Sequence, residues 1–161
     1  MAIGWVFALA LGCVLALDVW TKVLVQAHFR LYESLPLLPG LALTYVRNPG
    51  AAFSLLATAP ESLRRPFFLA VTVGALAAVL YYLRQTPRRD WMTRLALGLV
   101  AGGAFGNALD RFSSVGTVVD FIEVGVRGVY TWPVFNVADS AVCIGVGLLL
   151  WRAYKPPVAE S

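Results

Sequence analysis

Asp120 and Asp139 are the carboxylates least explained as ordinary surface acids. Asp120 lies in the apolar run Val118-Val119-Asp120-Phe121-Ile122, and Asp139 in Phe135-Asn136-Val137-Ala138-Asp139-Ser140, with no cation beside it in sequence. Close carboxylates in a poorly solvated place cannot both ionise easily, so they share a proton. One then acts as base for a water and the other as acid for a substrate carbonyl. That is aspartic-type hydrolysis of a peptide bond, and it needs no metal or cofactor. No His, Ser or Cys constellation offers a competing nucleophile. Cys13 and Cys143 fall in apolar segments without a Cys-x-x-Cys pair and read as packing residues, while His28 stands alone near the end of an apolar stretch. Carboxylate pairs also serve glycosidases and proton-coupled transporters, so the pair by itself leaves the reaction open.

Other polar groups gather in the same apolar surroundings: Asp18 with Lys22, Asn48 in Asn48-Pro49-Gly50-Ala51-Ala52-Phe53, Asn107 with Asp110 and Arg111, and Asn136 beside Asp139. Each ionisable side chain inside a spanning helix costs roughly 2.5–3.5 kcal/mol on insertion scales, so several together need a compensating reason. Helical spacing puts Asp18 and Lys22 on one face, Asn107, Asp110 and Arg111 on another, and Asn136 and Asp139 on a third. A purely structural reading makes the first pair a helix-stabilising ion pair and the trio a clamp whose arginine snorkels to headgroups.

The elements that must position these groups are membrane helices. In 161 residues, 59% are hydrophobic and only 14% charged, against about 25% charged in soluble domains. The apolar stretches cover residues about 3–25, 67–83, 95–112 and 135–151, which predicts a single integral membrane domain over 1–161: an all-α protein with a four-helix transmembrane bundle. Arg84, Arg88, Arg89 and Arg94 lie between the second and third spans, and Arg152 and Lys155 follow the fourth. By the positive-inside tendency these are cytoplasmic, as are both termini. Segments 26–66 and 113–134 are then external, although Arg30, Arg47, Arg64 and Arg65 depart from the rule. The net charge of +4 follows topology and shows no aromatic-interleaved basic patch, so nucleic acid is not an expected partner.

In this topology Asp18, Lys22, Asn107, Asp110 and Arg111 come late in outward-running helices, and Asn136 and Asp139 early in an inward-running one. All converge on one layer beneath the external surface. Leu41–Val46 is β-prone and Asn48-Pro49-Gly50 is a turn signal, which predicts a strand pair or small sheet on the outer membrane surface. Residues 54–62 read as a short helix or loop, Arg64 and Arg65 as headgroup ligands, and 123–133 as irregular. A small proton-coupled transporter would place its charged groups near the midplane and show pseudo-repeats, which are not evident here. A non-enzymatic assembly factor would use Asp and Arg only for helix pairing.

Taken in order, Asp18-Val19-Trp20-Thr21-Lys22, Asn48-Pro49-Gly50-Ala51-Ala52-Phe53, Gly106-Asn107-Ala108-Leu109-Asp110-Arg111, Val118-Val119-Asp120-Phe121-Ile122 and Phe135-Asn136-Val137-Ala138-Asp139-Ser140 closely resemble the lipoprotein signal peptidase (signal peptidase II) family over nearly the whole chain. The resemblance implies a bacterial inner-membrane aspartyl endopeptidase. Its substrates would be prolipoproteins whose lipobox cysteine carries a diacylglyceryl group, and lipopeptide inhibitors of the globomycin type would bind it among membrane lipids. It also implies that Asp120 and Asp139 form the catalytic dyad, with Asn107 and Asn136 beside it. Asp110 and Arg111 would be a structural or substrate-positioning pair, and Asp18, Lys22 and Asn48 would shape the site. An extracytoplasmic β-rich cradle belongs to the same expectation, around residues 41–53.

Overall fold

Four helices and four short strands are found in the computed structural model, which describes residues 5–50, 56, 58–113, 116–126 and 128–154. The helices are α1 (Trp5–His28), α2 (Glu61–Gln85), α3 (Trp91–Phe112) and α4 (Val137–Tyr154). Three of them, α1, α2 and α4, are long and apolar enough to cross a membrane. The third differs because glycines and Asn107, Asp110 and Arg111 take the place of bulky apolar residues. Its position explains the composition: α3 packs against each of the other three helices, so close approach matters more than an apolar exterior. A Cβ at Gly106 would stand 2.5 Å from Asp18 Oδ2, and one at Gly103 would collide with the Ala138 carbonyl oxygen. Glycine at these positions lets α1 and α4 approach the α3 backbone closely.

The helix ends depart from the apolar runs. α2 begins at Glu61, six residues before its expected start, and so absorbs the end of the 54–62 segment. Of that segment, residues 54, 55 and 57 lie outside the described residues, as do Ala51, Ala52 and Phe53 of the Asn48 motif. α3 starts at Trp91 because Asp90 caps it, accepting from the Thr93 backbone N–H at 3.1 Å and the Thr93 hydroxyl at 2.8 Å. Arg152 Nε, near the end of α4, lies 3.4 Å from the same carboxylate and ties the two helices at the end remote from the dyad. α4 starts at Val137 rather than at residue 135, leaving Asn136 just outside the helix.

Strands β1 (Ser34–Leu38), β2 (Leu41–Asn48), β3 (Val118–Val126) and β4 (Tyr130–Thr131) form an antiparallel sheet in the order β1-β2-β3-β4. The strand expected at Leu41–Val46 is present. The segment expected to be irregular, 123–133, is regular in part: β3 continues to Val126 and the chain returns as β4 after Gly128, at φ 83°, while Trp132 and Pro133 belong to no strand and Arg127 lies outside the described residues. Beyond β4, Phe135 bridges to Ile122, its N–H donating to the Ile122 carbonyl at 3.1 Å and its carbonyl accepting from the Ile122 N–H at 2.8 Å. This bridge delivers the start of α4 to the side of Asp120. Val25, Tyr45, Val119 and Phe121 form a buried cluster, with Phe29 and Val137 packed against it, and fasten the sheet to α1 and α4. Cys13 and Cys143 are exposed on their helices rather than packed inside, because small side chains on the outer helix faces have no neighbour to pack against.

Candidate active site

The two carboxylates come from different kinds of element and meet through amides. Asp120 is on β3 opposite Val46 of β2, and is 2% exposed. Asp139 is in the first turn of α4. Between them sits Asn136, fully buried, whose Nδ2 donates to Asp120 Oδ1 at 2.7 Å while its Oδ1 accepts the Asp139 backbone N–H at 2.9 Å. In return, Asp139 Oδ2 accepts the Asn136 backbone N–H at 3.2 Å. Asn136 and Asp139 are therefore the N-cap and N3 residues of a reciprocal capping box. They do not share a helix face, as their spacing had predicted, because Asn136 precedes the helix.

Three asparagines aim their N–H groups at the dyad, and each orientation is fixed by its other partners. Asn48 Oδ1 accepts the Gly50 N–H at 2.9 Å, which turns Nδ2 toward Asp120 Oδ2 at 3.0 Å. Asn107 Oδ1 accepts from Lys22 Nζ at 3.2 Å and Asn136 Nδ2 at 3.0 Å, which turns its own Nδ2 onto Asp139 Oδ1 at 2.7 Å. All four carboxylate oxygens of the dyad therefore face N–H donors. Amides that are buried, as Asn107 and Asn136 are, or half-buried, as Asn48 is, and bonded at both oxygen and nitrogen hold a carboxylate more rigidly than solvent would.

Beneath this layer lies a buried ion cluster. Lys22 Nζ is 2.7 Å from Asp18 Oδ2 and 2.9 Å from Asp110 Oδ2. Asp18, fully buried, reaches across with Oδ1 to accept the Ala138 N–H of α4 at 2.9 Å. Asp110 Oδ2 accepts the Val119 N–H at 3.1 Å, anchoring β3 one residue before Asp120. One lysine thus connects α1, α3, α4 and β3. The Asp18–Lys22 pair is more than an isolated intrahelical bridge.

Arg111 does not pair with Asp110 or snorkel away. Its guanidinium lies over the Phe68 ring, 4.4 Å from the centroid, and Nη2 donates to the Gly50 carbonyl at 3.3 Å. Arg64 also turns inward, Nη1 donating to the Pro49 carbonyl at 2.9 Å, and Arg65 pairs with Glu61 at 2.6 Å. Arg64 is thus held by a turn carbonyl rather than turned out to headgroups, whereas Arg65 stays at the surface beside its i,i+4 partner Glu61. Arg64, Phe68 and the Phe135 bridge are supports that sequence reasoning missed. In sequence Arg64 reads as a headgroup ligand in an external segment, and the bridge has no local signal.

Burial pushes the Asp120 carboxyl up to about 7, and the Asp139 charge adds to the rise against the lowering effect of the Asn48 and Asn136 hydrogen bonds and the Lys22 charge. Asp120 therefore retains a proton where an ordinary aspartate has lost it. In stability terms the native chain holds a proton on Asp120 that the unfolded chain releases above 3.8, so this group's contribution is lost as pH rises from 3.8 to about 7. If Asp120 supplies a proton in catalysis, kcat/KM declines as pH rises through about 7. A pH–kcat/KM profile should show that alkaline limb, and a profile flat from pH 6 to 9 would contradict it.

The signal peptidase (SPase) II family matches residues 10–155 of the chain. The lipoprotein signal peptidase of Syntrophus aciditrophicus (strain SB) is 47% identical over 145 residues, 89% of each chain. That of Geobacter metallireducens is 43% identical over 145 residues, covering 89% of this chain and 87% of the relative. A bacterial membrane enzyme solved by the in meso method at 2.3 Å superposes with a TM-score of 0.81 at 30% identity, covering 96% of this chain and 93% of the other. With a carboxylate pair, Asp120 buried and Asp139 half-buried, held between helices and a small sheet, and relatives matched over nearly their full length, the chain belongs to the signal peptidase II family.

Proposed function

We propose that this chain is an aspartyl endopeptidase that removes the signal peptide from diacylglyceryl-modified prolipoproteins, cutting on the N-terminal side of the lipidated cysteine. Membership in the family supports the substrate. The carrying observation for the mechanism is the Asn136 bridge, which donates to Asp120 at 2.7 Å and caps with Asp139. In our reading Asp139 takes a proton from water as the water oxygen attacks the carbonyl, and Asp120 gives its proton to the carbonyl oxygen. The tetrahedral intermediate collapses when Asp139 returns its proton to the departing cysteine nitrogen and Asp120 recovers one from the hydroxyl. Both carboxyls end as they began. Asn48, Asn107 and Asn136 position the dyad. Asp18, Lys22 and Asp110 hold its elements, and Arg111 holds the turn after β2.

All 161 residues form one membrane domain in this reading, with all four helices crossing the bacterial inner membrane and the sheet acting as an extracytoplasmic cradle. Arg84 in the last turn of α2, Arg88 and Arg89 in the connection to α3, and Arg152 near the end of α4 favour cytoplasmic termini. That topology puts the dyad near the outer boundary, level with a bond held there by the substrate's acyl chains, and lipopeptide inhibitors of the globomycin type would compete for the same place. A transporter reading gains nothing from groups gathered at one edge. The test is cleavage of a lipobox peptide with and without its diacylglyceryl group. The lipidated form should be cut with kcat/KM higher by at least about 100-fold, since burying each acyl CH₂ contributes about 0.8 kcal/mol. Equal cleavage of both would contradict lipid-directed recognition.

A further inference from the structure

From the register of β2 we infer that Tyr32 is a positioning residue for the dyad. Its left-handed backbone holds the bulge that puts Asn48, rather than Arg47, beside Asp120; the inference rests on the role of Asn48 proposed above. Leu43 stands opposite Ile122 and Val46 opposite Asp120, so Thr44 and Tyr45 together face the single residue Phe121. This is a β-bulge, a device that re-aims side chains next to active sites. Residues opposite one another share a face of the sheet, and a slip of one residue exchanges the faces. Had the pairing run on from Leu43 without the bulge, Arg47 would stand opposite Val118 on the Asp120 face, and Asn48 would point away. With it, Asn48 stands opposite Val118 and donates to Asp120 Oδ2 at 3.0 Å. Arg47 stands opposite Val119 on the other face, its Nη2 donating to Gln26 Oε1 of α1 at 2.7 Å.

A bulge leaves backbone groups out of the ladder, and here their partners come from the turn between α1 and β1. The Tyr45 N–H donates to the Glu33 carbonyl at 3.0 Å, and the Tyr45 carbonyl accepts the Tyr32 N–H at 2.8 Å. On the facing strand, the Phe121 N–H goes to the Phe135 carbonyl at 3.0 Å. Tyr32 reaches Tyr45 because the chain reverses over Arg30–Glu33, where the Glu33 N–H donates to the Arg30 carbonyl at 2.9 Å and Tyr32 takes φ 67°. Tyr32 and Glu33 thus share one partner, with the first of them left-handed, an arrangement that normally calls for glycine. The Tyr32 side chain is 72% exposed, so packing does not impose this conformation. Strain of this kind persists where the surrounding contacts over-determine it, and the contact it secures here is the bulge. Arg47 Nε adds a bond to the Tyr45 hydroxyl at 2.7 Å, so the side chain turned away from Asp120 helps to fix the same residue.

The experiment compares Tyr32→Gly with Tyr32→Val in the full chain in detergent. Glycine adopts the left-handed region freely and valine resists it, whereas both keep the N–H. Cleavage of a lipidated lipobox peptide, the unfolding midpoint and the Asp120 titration, read by difference infrared spectroscopy against Asp120→Asn, are measured on each. Tyr32→Gly should cleave and titrate as the parent does and unfold no earlier. Tyr32→Val should lower kcat/KM by about 10-fold per folded molecule, the loss expected for one charge-assisted hydrogen bond. Its Asp120 midpoint should move upward, because the lowering effect of Asn48 is withdrawn while Asp139, Lys22 and Arg111, the charges facing Asp120, stay in place. Added to Asn48→Ala, Tyr32→Val should cost nothing further. Full activity of Tyr32→Val with an unmoved titration would overturn the inference, as would an equal loss in Tyr32→Gly, which would assign the effect to the ring. So would losses that multiply with Asn48→Ala, the mark of a general loosening of the fold. Tyr32→Ala, which tolerates the left-handed region less well than glycine and better than valine, should fall between the two and decides the matter if valine prevents folding. A parent chain that cleaves nothing would overturn the peptidase reading, while the titration would still decide this one.

Discussion

Asp139→Asn is expected to lower cleavage of a lipidated prolipoprotein peptide by about 10³-fold or more, within or beyond the range for losing one general acid–base group. The chain should still insert and bind substrate, because the capping interaction needs only an acceptor at one oxygen and the amide keeps one. Its cost in stability should nevertheless be measurable. Asp139 Oδ1 faces the Asn107 amide and Oδ2 faces the Asn136 N–H, at 2.7 and 3.2 Å, so the new Nδ2 must oppose a donor on one side or the other. A mismatched buried donor costs about 1–3 kcal/mol. Thermal unfolding in detergent beside single-turnover cleavage separates the two losses. A modest fall in Tm with cleavage lost supports a chemical role, whereas cleavage at the parent rate would remove Asp139 from the mechanism.

Lys22→Met should be the most damaging substitution outside the dyad. The lysine is 3% exposed and serves Asp18, Asp110 and the Asn107 oxygen together. Removing it leaves carboxylates buried or half-buried without their cation, a change that costs about 3–5 kcal/mol when a buried pair is broken. Asn107 also loses the donor that fixes its amide toward Asp139, so activity should fall beyond what the unfolded fraction explains. Adding Asp18→Asn removes one stranded charge and should restore part of the stability but little of the activity, because Asp110 and Asn107 still lack their partner. Unfolding midpoints of the parent, single and double variants test this. A Lys22→Met midpoint equal to the parent's would show that the cluster does not hold the fold.

Much of this arrangement was legible in the residues. Asp18, Lys22, Asn107, Asp110, Asn136 and Asp139 were flagged because polar groups in apolar helices are costly, and the structure brings all of them together with Asp120 and Asn48. Periodicity failed where the chain leaves the helix. Asn136 and Asp139 fit a shared face equally well by count, yet the pair is a capping box, a local pattern that apolar flanks obscured. Gly98, Gly102 and Gly106 recur every four residues, a small-residue spacing that could have announced the close approach of α1. The inward turn of Arg64 and the Phe135–Ile122 bridge depend on contacts distant in sequence, and no local pattern encodes them.

The central claim is that Asp120 and Asp139 together drive hydrolysis of the bond before the lipidated cysteine. Its most direct test is mass-spectrometric identification of the products from a diacylglyceryl-modified lipobox peptide, incubated with the purified chain and with its Asp120→Asn variant, each with and without a chelator. The account predicts one cut, on the N-terminal side of the cysteine, undiminished by chelation and absent with Asp120→Asn. The same cut at the parent rate with Asp120→Asn, or a cut abolished by the chelator, would contradict it.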